Sequence, residues 1–301
     1  MSMIDNLSPG HLFCFGMGYS SIWLARRLQK AGWTISGTAR SEEKCETLRA
    51  SDTFRMHCFG EDALQDPKAA FQGVTHILDS IPPSDAGTPS LLKHGEALGA
   101  VDSLKWAGYF STPAVYGDRQ GGVAHEDEPP TPESKRGERR LLAETQWLDW
   151  GKANAVPSQI FRLAGIYGPG RSLFDTFRQG KARIIDKPGQ IFNRIHVDDI
   201  SNVLIASMVK PRQGGIYNVA DGVAAASAEP IRYAAKLLGI DPPEPIPFEE
   251  AEMSPMARAF YSECKRLDIS RLQEELGVSL RYPGYREGLD AIFAELPNRG
   301  E

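Results

Sequence analysis

Residues 11–21 constrain what this chain can fold into more than any other stretch. His11–Phe15 (HLFCF) is a short apolar run that stops at Gly16. Gly16-Met17-Gly18-Tyr19-Ser20-Ser21 then leads into helical spacing at Ile22, Ala25 and Leu28. Gly32 stands where that helix should stop, and Trp33–Thr38 (WTISGT) reads as a second strand. A strand, glycine turn, helix and strand in this order make a βαβ unit, whose crossover requires a parallel sheet. Further strands are expected at Phe54–Phe59, Val74–Ile81, Trp106–Ser111, Ser158–Leu163 and Gly215–Ala220. Helices are expected over Glu133–Asn154, Ser172–Gln179, Ile195–Val209, Ala228–Leu238 and Ile269–Leu276. The proline-punctuated stretch Asp241–Pro247 reads as a surface connection.

With 41% hydrophobic and 24% charged residues, the 301-residue chain can bury a sizeable core. Its 34 basic and 39 acidic residues leave a net charge of −5, which argues against a nucleic-acid partner. No apolar stretch approaches the ~20 residues of a membrane span. The N-terminal MSMIDNLSPG lacks a signal-peptide pattern, so the expectation is a cytoplasmic protein without a membrane partner. Cys14, Cys45, Cys58 and Cys264 are scattered, and His57, His76, His94 and His125 do not group with them or with acids. No metal site is expected.

The glycine turn has a specific chemistry. Gly16 permits the tight turn, and Gly18 lets backbone approach a pyrophosphate held on the first amides of the following helix, at Tyr19, Ser20 and Ser21. Ser21 replaces the third glycine of the fingerprint and is still small enough for close helix–strand packing. The pattern points to a doubly wound Rossmann α/β sheet that binds NAD(P). Strand two ends at Thr38-Ala39-Arg40-Ser41, with no acid for a ribose 2′-hydroxyl. Arg40 favours a 2′-phosphate, so NADP is preferred over NAD. The bland alternatives are a structural turn and a solvated arginine. Ser41, Ser80, Ile81 and Ser111, at strand ends, complete the cofactor-binding candidates.

Four later segments sharpen the reading: Ser111-Thr112-Pro113-Ala114-Val115-Tyr116-Gly117, Arg162-Leu163-Ala164-Gly165-Ile166-Tyr167-Gly168-Pro169-Gly170-Arg171, Arg194-Ile195-His196-Val197-Asp198-Asp199 and Gly215-Ile216-Tyr217-Asn218-Val219. In order and spacing they resemble the extended short-chain dehydrogenase/reductase family, also called the NAD-dependent epimerase/dehydratase family, over residues 11–225. Tyr282–Leu289 fits the same pattern. The resemblance implies reduction, oxidation, epimerisation or dehydration, often of nucleotide sugars, by a Ser/Thr hydroxyl and a Tyr-x-x-x-Lys pair. Thr112 falls at the Ser/Thr position. Aligning on Leu141–Glu144 puts Arg136 and Arg140 at the Tyr and Lys positions, whereas aligning on Ser134-Lys135 gives Thr131 and Lys135. Neither register supplies a tyrosine, which marks an atypical member. Tyr261 to Lys265 has the motif's spacing but lies far from strand five, so it reads as a decoy.

Tyr116 is the remaining candidate acid, with Arg136 or Arg140 as the cation that would lower its pKa; its bland role is packing. Arg136, Arg171, Arg194 and His196 are the substrate candidates, Arg171 and Arg194 for an anionic group such as a phosphate. His196 beside Asp198 and Asp199 also fits a helix cap, and Arg136 with Arg140 a solvated face. The expected function is an NAD(P)-dependent oxidoreductase or epimerase on a small molecule, a nucleotide sugar being one class. The alternative is a non-catalytic NADP-binding sensor or regulatory module. Residues 1–165 and 195–225 would form the cofactor body, and residues 166–194 and 226–301 a small substrate lid. Leu141, Leu142, Trp147, Leu148 and Trp150 exceed one buried stripe, consistent with a homodimer face.

Overall fold

The computed structural model describes residues 3–296. β1 (His11–Phe15), β2 (Thr34–Ala39) and β3 (Arg55–Cys58) alternate with α1 (Tyr19–Lys30) and α2 (Glu42–Asp52). The short α3 (Pro67–Ala70) leads to β4 (His76–Asp79), α4 (Pro89–Gly99) and β5 (Trp106–Ser111). A 3₁₀ turn at Pro113–Tyr116 and the two-residue β6 (Val123–Ala124) precede α5 (Lys135–Ala153) and β7 (Ser158–Leu163). An excursion follows through β8 (Gly165–Tyr167), α6 (Leu173–Arg178), β9 (Ile184–Asp186) and β10 (Arg194–His196). α7 (Val197–Val209) and β11 (Gly215–Val219) return the chain to the main sheet. The C-terminal region contains α8 (Ala228–Leu238), β12 (Pro245–Pro247), α9 (Pro255–Phe260), β13 (Arg266–Leu267), α10 (Ser270–Glu274) and α11 (Tyr285–Glu295).

Seven strands form a parallel sheet in the order β3-β2-β1-β4-β5-β7-β11. The order reverses between β1 and β4, where the loops after the two strands part and leave a crevice at their carboxyl ends. Phe15 pairs with Asp79 there, so Gly16 and Ser80 are neighbours across that gap. Helices cover both faces, as a parallel sheet requires. Leu12 and Cys14 of β1 join one buried layer with Leu24 and Leu28, while Phe13 and Phe15 join the other with Phe71, Ile77 and Trp147. This period of two along a wholly apolar strand lets five residues anchor two helical layers.

A smaller third core unites Phe174 of α6, Ala234 of α8, and Tyr285, Leu289 and Ile292 of α11. The C-terminal region is not purely a lid. Leu267, Leu272, Leu276 and Val278 pack into the core of the main sheet. Pro245–Pro247, expected as connection only, pairs in parallel with β9, and β13 pairs with β6. Ile195 and His196, expected inside a helix, end β10, and α7 starts at Val197 because His196 caps it. α5 starts at Lys135, where the Ser134 side chain accepts the Gly137 N–H. Trp147 of α5 is fully buried and Trp150 Nε1 donates to the Gly95 carbonyl, so both join α5 to its neighbours within the chain. Leu142 on α5 and Leu92 on α4 remain 40% and 54% exposed, and Leu141, Leu148 and Trp150 are half-buried. Among the described residues, no helix is long and apolar enough to cross a membrane.

Candidate cofactor and substrate cleft

The first end of the cleft is built from backbone. Gly16 has φ +82°, and a Cβ there would lie 2.9 Å from Ser80 Oγ and 3.1 Å from the Ile81 side chain. The turn is tied down from below: Gly16 N–H donates to Thr38 Oγ1 at 2.9 Å and Met17 N–H to Thr38 O at 2.8 Å. Ser80 Oγ donates to Gly16 O at 2.6 Å and accepts from Ser21 Oγ at 3.2 Å. Ser21 therefore works in the third glycine's place as a small buried bridge between helix and strand. Gly18 caps α1 without a side-chain hydrogen bond, and the first turn carries no acid. The leading amides at Tyr19, Ser20 and Ser21 lack intrahelical partners, and their partial positive charge faces the crevice. A Cβ on Gly18 would meet nothing within 4 Å, so the space in front of these amides is open. Tyr19 walls it, its hydroxyl donating to Pro169 O at 3.0 Å and its ring lying 5.6 Å from the Arg171 guanidinium.

Arg40 is exposed at the end of β2, on a separate hollow of about 670 Å³ shared with Glu42, Arg49, Cys58 and Asp62. Ser41 is engaged elsewhere: its Oγ accepts the Lys44 N–H and caps α2. Ile81 packs over Gly16, and its N–H donates to Asp79 Oδ1 at 2.9 Å.

From Gly18 the cleft, about 440 Å³, runs past Ser111 and Thr112 to Arg136, Arg140, Phe260 and Lys265. Ser111 Oγ donates to Glu144 Oε1 at 2.5 Å, and Arg162 forms a two-pronged pair with the same carboxylate at 3.1 and 2.7 Å. That pair is almost wholly buried, and the Arg162 guanidinium lies 4.6 Å from the Tyr116 ring centre. Thr112 Oγ1 accepts from Ala114 N–H at 3.4 Å, which leaves its own proton to donate into the cleft. Arg140 donates to Phe110 O and to the Tyr109 hydroxyl. Arg136 lies with its guanidinium 5.1 Å from the Phe260 ring centre. Lys265, its side chain 6% exposed, pairs with Glu263 at 2.5 Å and donates to Pro113 O at 3.3 Å.

Three expectations are corrected. Tyr116 does not face the cleft: it is fully buried and its hydroxyl donates to Asn218 Oδ1 at 2.8 Å. Burial raises its pKa, against the opposing charge of Arg162, so the phenol is held neutral. His196 is a helix cap, its Nδ1 accepting the Asp198 N–H at 3.2 Å and its ring packed on Tyr282 and Tyr167. Burial lowers its pKa, with Asp198 opposing. Arg194 turns from the cleft to donate to the carbonyls of Phe192 and Ala225, near the buried Asp221. Among the described residues of the cleft wall, Tyr19 is the sole tyrosine.

Sequence reasoning missed Lys265, Glu263, Asp79 and the Glu144–Arg162 pair. Asp79 is buried at the end of β4 and accepts from Thr88, Ser90 and Trp147, joining the sheet to α4 and α5. A charged residue inside an otherwise apolar strand was the available signal at Asp79 and Arg162. Lys265 belongs to the discounted Tyr261-x-x-x-Lys265. The tyrosine packs instead on Phe192 and Phe248, but the lysine reaches the cleft. No group of three or more potential metal ligands occurs among the described residues.

The model of the NAD dependent epimerase/dehydratase family matches residues 16–220, from the glycine turn to the end of the main sheet. The chain belongs to this family. Protein YeeZ of Escherichia coli strain K12 is 29% identical over 289 residues, 89% of this chain and 94% of that protein. A functionally unknown conserved protein from Silicibacter pomeroyi DSS is 44% identical, with a TM-score of 0.87 over 95% of this chain and 99% of that one. UDP-glucuronic acid 4-epimerase from Bacillus cereus, solved in complex with NAD, shares the fold at 20% identity, with a TM-score of 0.73 over 94% of this chain and 97% of that one. An NAD dependent family and a seven-stranded Rossmann sheet agree with the reading of the glycine turn.

Proposed function

We propose that this family member is an NAD(P)-dependent oxidoreductase or epimerase acting on a small molecule, with NADP preferred. The observation that carries the reading is the uncapped α1 N-terminus behind Gly18, open into the same cleft as Thr112. The residues fit a dinucleotide: the first amides of α1 would hold its pyrophosphate, and Gly18 leaves the room that a side chain would fill. Arg40 would bind the 2′-phosphate, being exposed and in no ion pair among the described residues. The nicotinamide, when bound, supplies or accepts a hydride. Ser111 has its proton on Glu144, so toward a ligand its oxygen can only accept. Thr112 can donate, and is the hydroxyl that would orient a substrate oxygen. A nucleotide sugar is supported by the Bacillus cereus relative, an epimerase of UDP-glucuronic acid.

A paired fluorescence titration with NADPH and NADH at low salt tests this. Tighter binding of NADPH is the expected result, and no binding of either would overturn it. A second reading, a cofactor-binding sensor, draws on the cleft wall, where the one tyrosine hydroxyl is engaged by Pro169. It predicts cofactor binding without hydride exchange across a panel of carbonyl compounds and nucleotide sugars.

A further inference from the structure

The far end of the cleft carries an excess of positive charge in a chain whose net charge is −5. Arg136, Arg140 and Lys265 converge there, and Glu263 is the one carboxylate among the described residues of the wall. Arg140 is held by the Phe110 carbonyl and the Tyr109 hydroxyl, and Lys265 by Glu263 and the Pro113 carbonyl. Arg136 has an aromatic neighbour in Phe260 and, among the described residues, no carboxylate within ion-pair distance. Burial and the neighbouring Arg140 lower its pKa, with Glu263 opposing, so the like charges are felt at this point. Lys265 is buried, Arg140 half-buried and Arg136 exposed to the cleft, so with Glu263 as the one carboxylate this end of the wall keeps a positive charge that an anion would complete.

The geometry points to an oxyanion subsite between Arg136 and Lys265, beside Thr112. It would take the carboxylate or phosphate of an acidic substrate whose reacting carbon lies next to that group. The subsite lies at the opposite end of the cleft from the α1 amides and is therefore separate from the cofactor's pyrophosphate. Three elements build it: the 3₁₀ turn after β5, the first turn of α5, and the segment between α9 and β13. Asn193 secures that last segment by donating to Lys265 O at 2.9 Å and accepting the Leu267 N–H at 3.1 Å. Glu263 acts as an internal stand-in that holds Lys265 in place until an anion arrives. The inference deepens the proposed function, since it assigns a substrate class to the same cleft.

Calorimetric titration of the whole protein with malonate and with inorganic phosphate, each with and without saturating NADPH, tests it. One-to-one binding of at least one probe is expected, persisting in the presence of NADPH. Lys265→Met and Arg136→Gln should each weaken it tenfold or more, Lys265→Arg should retain it, and Glu263→Gln should tighten it several-fold. Preference for malonate assigns a carboxylate, and preference for phosphate a phosphoryl group. Binding of neither probe, displacement by NADPH, or binding indifferent to Lys265→Met and Glu263→Gln would overturn the subsite. Should Lys265→Met not fold, Lys265→Arg and Glu263→Gln still decide. Anion binding without NADPH binding would retain the subsite and reject the cofactor reading.

Discussion

The two ends of the cleft are made differently. The cofactor end is backbone: a left-handed glycine, an uncapped helix and two serines, all within residues 16–21 and 80. The far end is side chains borrowed from across the chain, with Thr112, Arg136 and Lys265 brought together from three elements. Backbone sites depend on local conformation, so they tolerate change around them but not a Cβ within them. Side-chain sites depend on their neighbours, and the buried Glu144–Arg162 pair holds Ser111, next to Thr112, through its hydroxyl. Substitutions can separate the two ends.

The largest effect should come from Arg162→Met, which leaves Glu144 buried without its partner and costs about 3–5 kcal/mol of stability. Urea unfolding measures it, and a loss below about 1 kcal/mol would show that the fold does not rest on this pair. Asp221 should produce a pH effect of similar reach. Burial raises its pKa to about 7, so the native state keeps a proton that the unfolded chain releases near pH 4. Stability should therefore fall by about 1.4 kcal/mol per pH unit between those values and level off above pH 7. Asp221→Asn should abolish this component, and parallel stability profiles for the two proteins would refute it.

Gly18→Val addresses the cofactor end alone. The added Cβ meets no atom of the protein within 4 Å, so the melting temperature should hold while NADPH affinity drops about 100-fold, or about 2.7 kcal/mol. A fall in both, or in neither, would erase the contrast between the two ends. Arg40→Ala should reduce the preference for NADPH over NADH by about tenfold, the scale of one charge-assisted contact. An unchanged ratio assigns the 2′-phosphate to another group. The smallest effect belongs to Tyr116→Phe: about 1 kcal/mol of stability from one buried hydrogen bond, with no change in cofactor affinity.

The same contrast explains what the sequence made legible. HLFCF followed by GMGYSS announced the first strand, the turn and the helix, because each signal is local and each residue acts on its own backbone. Trp106–Ser111 and Ser158–Leu163 have the bounds expected of them, since a strand buried on both faces is one apolar run. The far end was obscured by geometry that no local pattern encodes. Tyr116 sits in the expected segment, yet the 3₁₀ turn at Pro113–Tyr116 directs its ring into the core. Lys265 lies far from β5 in sequence, and β13 pairing with β6 is what closes that distance. His196 and Arg194 were singled out for their chemistry, but a helix start and two carbonyls engage them.

The pairing of β13 with β6 also sets an order of assembly. The glycine turn, α1 and the Ser80 that braces them are synthesised by Ile81, whereas the far end waits for Arg266–Leu267. At about 5–20 residues per second, translation of the intervening stretch takes roughly 10–40 s. A nascent chain in that interval carries the glycine turn but lacks Glu263 and Lys265. The two ends of this cleft therefore leave the ribosome in sequence, the backbone-built end first, and the cleft is whole only once β13 can pair with β6.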